Sequence, residues 1–252
     1  MLKKRLIPLM LLDEGRLIKT VKFGGSRDVG DPIQSAKVYS DQSADELVVL
    51  NVSRINRSVA PIIKILSELS RNCFMPITVG GGIANIDDVR MLIRSGADKV
   101  VVNSVAYQNL DFLTLIATEF GSQALMVGVD CTKNSDGWSC FSNCGSNREE
   151  VELDDHLLRV QSAGAGELLI QSIDRDGVMG GLDLELLKYV TDRVSIPVIG
   201  AGGVGNYHDL LAGYIINGID AIGVASLFHF TDSNPLRAKA MLQNHKLSFK
   251  VI

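Results

Sequence analysis

Two glycine-rich runs in this chain have the residue types of an anion cradle. The first reads Ile77-Thr78-Val79-Gly80-Gly81-Gly82-Ile83, and Asp98-Lys99-Val100-Val101-Val102-Asn103-Ser104 follows it. The second reads Val198-Ile199-Gly200-Ala201-Gly202-Gly203-Val204, followed by Asp220-Ala221-Ile222-Gly223-Val224-Ala225-Ser226. Each is an apolar strand running into glycines, and each is followed by a second strand ending in small residues. Glycine at a strand end lets backbone N–H groups come close to an anion. Gly81, Gly82, Asn103 and Ser104 make one candidate set; Gly202, Gly203, Ala225 and Ser226 make the other. Two such sets predict a substrate with a phosphate at each end.

Acid–base chemistry needs carboxylates near those cradles. Asp130 closes the run Val127-Gly128-Val129-Asp130 and is a candidate general acid or base, or alternatively a cap or loop-bridging carboxylate. The first apolar run, Ile7-Pro8-Leu9-Met10-Leu11-Leu12, offers no partner in the same register. Asp13 and Glu14 come late, beside Gly15, and read as turn residues. Lys19 lies in the loop Arg16–Phe23, either to close over a phosphate or anionic transition state, or as a solvated cation. The polar, Gly-rich stretch Gly24–Gly30 has the composition of a mobile lid. Within Gln171-Ser172-Ile173-Asp174-Arg175-Asp176-Gly177, Ser172 and Asp176 can meet substrate hydroxyls or shape the second phosphate loop. Asp174 and Arg175 read as a mutual pair, and Asn51 as a residue able to bind but not to act as a base.

These side chains need a scaffold. Apolar runs at Leu6–Leu12, Glu46–Val52, Ile77–Val79, Lys99–Val102, Leu125–Val129, Glu167–Ser172, Val198–Gly200 and Ala221–Val224 alternate with segments of helical spacing. Continuous apolar strands between helices mean a parallel sheet covered on both faces. Eight such units in 252 residues predict an α/β fold, a single (β/α)8 TIM barrel, whose active sites sit at the strands' C-terminal ends. Ala44-Asp45-Glu46-Leu47 matches Ala165-Gly166-Glu167-Leu168, Pro76 matches Pro197, and Gly81-Gly82 matches Gly202-Gly203, each 121 residues on (202 − 81). That offset predicts one domain over 1–252, made of half-barrels at roughly 1–121 and 122–252. Arg5, Glu46, Lys99 and Glu167 each begin a strand. They can ring the barrel bottom, although spacing alone favours routine surface pairs.

Composition excludes several classes. A net charge of −4 gives no nucleic-acid surface, and no apolar run reaches membrane-spanning length. The segment Met1–Pro8 is basic and then briefly apolar, without the h-region or cleavage site of a signal peptide. Cys73, Cys131, Cys140 and Cys144 fit no common zinc spacing. They read as reduced thiols of a cytoplasmic protein, with no metal or cofactor expected.

Several stretches together carry a family resemblance: Gly30-Asp31-Pro32, Ala44-Asp45-Glu46-Leu47, Thr78–Ile83, Gly96-Ala97-Asp98-Lys99-Val100, Asp174-Arg175-Asp176-Gly177 and Ser226-Leu227-Phe228-His229-Phe230. The chain resembles the cyclase subunit of imidazole glycerol phosphate synthase, of histidine biosynthesis, over nearly its whole length. The resemblance implies a heterodimer with a glutaminase subunit docked at the N-terminal barrel face. Ammonia then crosses the barrel and attacks a bisphosphorylated ribulosyl substrate at the mouth. It implies that Arg5, Glu46, Lys99 and Glu167 are the salt-bridged gate of that path, and that Asp98 touches the glutaminase. Lys19, Gly82, Asn103, Ser104, Asp130, Asp176, Gly177, Gly203, Ala225 and Ser226 match substrate and catalytic positions.

Three positions depart from that pattern. The family's first catalytic aspartate aligns with Leu11, its strand-two aspartate with Asn51, and a strand-six threonine with Gln171. Leucine cannot transfer a proton, and such a group contributes roughly 10²–10⁴-fold, so a poor cyclase is expected. A branch linked to bacterial surface polysaccharides resembles this chain more closely. Its members share the leucine run and a Leu17-Ile18-Lys19-Thr20-Val21-Lys22-Phe23-like segment. It implies ammonia delivery for acetamidino modification of a sugar, with a glutaminase-like subunit and a separate amidotransferase. The alternatives are an authentic histidine-pathway cyclase that tolerates Leu11, and a non-catalytic scaffold that activates a glutaminase. Retained phosphate loops argue against the scaffold.

Overall fold

Seven successive buried residues, Leu6 to Leu12, make the first strand unmistakable. A strand covered on both faces needs no polar alternation. In the computed structural model, which describes residues 3–216 and 218–249, this strand, β1 (Arg5–Asp13), belongs to a closed parallel barrel. The others are β2 (Leu47–Asn51), β3 (Ile77–Gly80), β4 (Lys99–Val102), β5 (Leu125–Asn134), β6 (Glu167–Ser172), β7 (Val198–Ala201) and β8 (Ile219–Val224). Closure is direct, because β8 pairs with β1 from Arg5↔Ala221 to Pro8↔Val224. The fold is the expected (β/α)8 TIM barrel. Met1 and Leu2 of the N-terminal segment lie outside the described residues.

The strand pleat divides the core in two. Leu6, Met10 and Leu12 face outward onto the helices, while Ile7 and Leu9 face inward with Val48, Val101, Met126, Leu169 and Ile199. Amphipathic helices cover the outside; Ala60–Asn72 buries Ile62, Leu66 and Leu69 against the sheet. Two of the helices begin alike. Asn85 with Asp88, and Asn206 with Asp209, form reciprocal capping boxes 121 residues apart (206 − 85).

The structure adds elements that the sequence did not announce. Gly24–Gly30 is no free lid along its whole length: Arg27–Gly30 pairs antiparallel with Arg16–Lys19, and Arg16 bridges Asp28 at 2.9 Å. Beyond Asp130, β5 continues to Asn134 and feeds an antiparallel ribbon, Gly137–Ser142 and Asn147–Glu152. Short helices Ser104–Gln108 and Ser226–Phe230 follow β4 and β8. Among the described residues, no helix is long and apolar enough to cross a membrane.

Candidate active site

Inward-facing positions recur every second residue, so each strand carries a bottom, middle and top side chain. In β1 these run from Arg5 through Ile7 and Leu9 to Leu11; from Lys99 they run through Val101 to Asn103; in β6 they are Glu167, Leu169 and Gln171. The top layer opens into a cavity of about 670 Å³ whose walls include Leu11, Gly82, Asn103, Asp130 and Gln171. The second cradle is far tighter. Lys19, Asp176, Gly177, Gly203, Ala225 and Ser226 enclose about 20 Å³, and Leu11 and Gln171 border both spaces.

Each cradle has a glycine that nothing else can replace. Gly82 has φ +80°, and a Cβ there would lie 2.6 Å from the Ser58 carbonyl carbon. Gly203 has φ +103°, with a Cβ falling 2.2 Å from the Gly181 carbonyl oxygen. Ser104 and Ser226 open the two short helices, and each lines the same space as its glycine turn. Ser104 Oγ also accepts from the Asn143 N–H at 3.1 Å.

Asp130 is the carboxyl of the open side, within β5 rather than at its end. Asn103 Nδ2 donates to its Oδ2 at 3.0 Å, while Asn103 Oδ1 is buried without a partner. Burial, aided by the Asp176 carboxylate, pushes the Asp130 carboxyl up to about 7. A group poised there can donate or accept a proton at neutral pH. Leu11 fills the inward top position of β1, 6% exposed, and brings no second carboxyl.

Several site expectations change on contact with the geometry. Lys19 is not a solvated loop cation. Its Nζ is buried 2.5 Å from Asp176 Oδ1, and Thr20 Oγ1 donates to Asp176 Oδ2 at 2.9 Å. The expected catalytic lysine and the expected binding aspartate therefore satisfy each other. Ser172 points away from the mouth, because it follows inward-facing Gln171; its Oγ lies 3.5 Å from Asp183 Oδ2. Asn51 Nδ2 donates to the Asn56 and Ser58 carbonyls, which holds the β2 loop rather than a ligand. Asp174 and Arg175 do not pair: Asp174 accepts from the Lys133 N–H, and Arg175 donates to the Gly180 carbonyl. The sequence reading also missed Arg57 and Asn143, which meet at 2.8 Å over the cavity rim. The only sequence signal was the turn-like run Ser142-Asn143-Cys144-Gly145.

At the opposite end, the bottom layer is one network. Arg5 bonds Glu46 at 3.0 Å and also Glu167; Lys99 bonds Glu46 at 3.1 Å and Glu167 at 3.0 Å. Thr78 Oγ1 donates to Glu46 at 2.6 Å. Both carboxylates are buried. These are not the separate surface pairs that spacing alone favours. Asp98 is exposed at this end and accepts from the Ile77 N–H at 2.8 Å.

Comparison with known proteins agrees with this architecture. The model of the histidine biosynthesis protein family matches residues 5–234. The imidazole glycerol phosphate synthase subunit HisF of Alkaliphilus metalliredigens (strain QYMF) is 38% identical over 251 residues, spanning 99% of this chain and 100% of that protein. With a barrel, twin cradles and a full-length relative in agreement, the chain belongs to the histidine biosynthesis protein family.

Proposed function

We propose that this chain is the barrel subunit of a glutamine-dependent ammonia-transfer complex, resembling the cyclase subunit of imidazole glycerol phosphate synthase. A glutaminase subunit docks at the N-terminal face, beside Asp98, and releases ammonia at the Arg5–Glu46–Lys99–Glu167 ring. Ammonia is small and neutral, so the apolar middle layer of Ile7, Val48, Val101 and Leu169 suits its passage. It emerges at the phosphate-binding mouth and is delivered for acetamidino modification of a surface-polysaccharide sugar by a separate amidotransferase.

One observation carries this reading: Leu11 lines the same cavity as Asp130, while the charged ring beneath is complete. Delivery needs the ring and the bore; a two-carboxylate cyclisation needs what Leu11 lacks. The full-length likeness to a HisF subunit supports a second reading, an authentic histidine-pathway cyclase. Purified protein given ammonium and the histidine-pathway bisphosphate substrate separates the two. Turnover about 10² or more below that of an ordinary cyclase is expected. Turnover at an ordinary rate would establish the cyclase. A glutaminase-activating scaffold is disfavoured by the two glycine cradles, which scaffolding does not require.

A further inference from the structure

Immediately after Asp130, on the outward side of the barrel wall, two thiols face each other. β5 turns into the Gly137–Ser142 strand through the two residues Ser135 and Asp136, with Asn134 opposite Gly137. Counting rungs from that turn, Asn134/Gly137, Thr132/Ser139 and Asp130/Phe141 are hydrogen-bonded pairs. Cys131 and Cys140 are therefore directly opposed in a non-hydrogen-bonded pair. The Cys131 carbonyl agrees with that register, because it faces the other neighbour and accepts from the Ile173 N–H at 2.8 Å. In such pairs the Cα atoms approach to about 4.5 Å, within the span of a disulfide.

The surroundings single these thiols out. Both are free and fully buried in the core outside the barrel wall. Tyr107 stacks on His156 at 3.9 Å, and the Tyr107 hydroxyl and His156 Nε2 are buried without a partner. The thiols polarise each other: Cys140 holds Cys131 up, and Cys131 draws Cys140 down. The neighbouring rung matters to the mouth. Asn103 Nδ2 donates both to Asp130 and, at 3.4 Å, to the Phe141 carbonyl.

We propose that Cys131 and Cys140 are a reversible redox pair that closes into a cross-strand disulfide when a hydroperoxide reaches it. The Cys140 thiolate attacks the peroxide; an S–O bond forms, the O–O bond breaks, and water leaves after protonation. The Cys131 thiol then displaces the second oxygen as water, forming the S–S bond. Two thiols are oxidised, one hydrogen peroxide is reduced, and two waters result. The closed pair staples the rung beside Asp130 and fixes Phe141, a shared partner of Asn103. None of this depends on the reaction proposed at the mouth.

The test treats full-length native protein with hydrogen peroxide, alkylates it under denaturing conditions, digests it and reads the peptides by mass spectrometry. The expected product joins the peptides containing Cys131 and Cys140, two hydrogens lighter than the reduced pair, and dithiothreitol reverses it. Cys144→Ser keeps the link and Cys140→Ser loses it. A second arm refolds the reduced chain in a glutathione redox buffer, where burial does not limit access. Absence of the link from both arms overturns the proposal. A link formed only on refolding overturns its reversibility. Links distributed evenly among all four cysteines overturn its specificity.

Discussion

Asp130 and Leu11 line one cavity with opposite character, a carboxyl and an apolar side chain. Burial and the Asp176 carboxylate hold the Asp130 carboxyl at about 7, against an ordinary value near 3.8. The folded state thus keeps a proton that the unfolded chain gives up. Stability from that proton is fully present below about pH 4 and is lost as pH rises to about 7. Asp130→Asn removes the titration. Its thermal midpoint should therefore rise relative to the parent as pH goes from 4 to 7, and the difference should be flat above 7. A difference constant across that window would mean that Asp130 titrates normally. Leu11 poses the complementary question. It is 6% exposed and faces inward, so Leu11→Asp buries a carboxyl at a cost of about 2–4 kcal/mol. If the rest of the site is arranged for cyclisation, that variant should raise turnover with ammonia and the bisphosphate by at least ~10-fold. No gain would mean that Lys19, held by Asp176, is no longer available to the reaction. Steady-state kinetics beside a denaturation curve reads both effects.

The elements show what a one-dimensional reading can reach. All eight barrel strands were legible because their burial on both faces leaves continuous apolar runs. The helices were legible because their apolar residues recur at helical spacing. The ribbon after Asp130 was not. Its Gly137–Ser142 strand buries Ser139 and Ser142 beside Cys140, and Asn147–Glu152 is almost entirely polar, so neither shows an apolar signature. The burial of Lys19 was not legible for a different reason: its partner Asp176 lies 157 residues away, and burial of a lysine is invisible without that contact. The glycine turns, by contrast, were legible because backbone geometry demands them. Gly82→Ala would place a methyl against Ser58 at a φ of +80°, a strain that costs about 1–3 kcal/mol before any clash is counted. Gly25→Ala meets nothing within 4 Å and should leave stability almost unchanged. Calorimetric titration with inorganic phosphate should show binding weakened in the first variant and kept in the second. Equal binding in both would remove Gly82 from the cradle.

Across the whole molecule, the two ends of the barrel are chemically different and joined by an apolar middle layer. The lower end concentrates four charges, of which Glu46 and Glu167 are buried. Lys99, like Arg5, hydrogen-bonds both carboxylates, Glu46 and Glu167. In Lys99→Ala, Arg5 alone must neutralise two carboxylates, and the uncompensated charge loosens the ring. Lys99 is partly exposed, so water screens some of that loss, and about 1–2 kcal/mol of destabilisation is expected. The functional effect separates by the route ammonia takes. Under the proposed function, ammonia made from glutamine enters through the ring, whereas ammonia added to solution reaches the mouth from its open side. Glutamine-coupled product formation should therefore fall several-fold in Lys99→Ala, with the rate on free ammonia retained. A mouth-only defect would lower both rates together, because both share the final step. If Lys99→Ala depresses the two rates equally, ammonia does not pass the ring, and the four charges serve only to hold the barrel floor together.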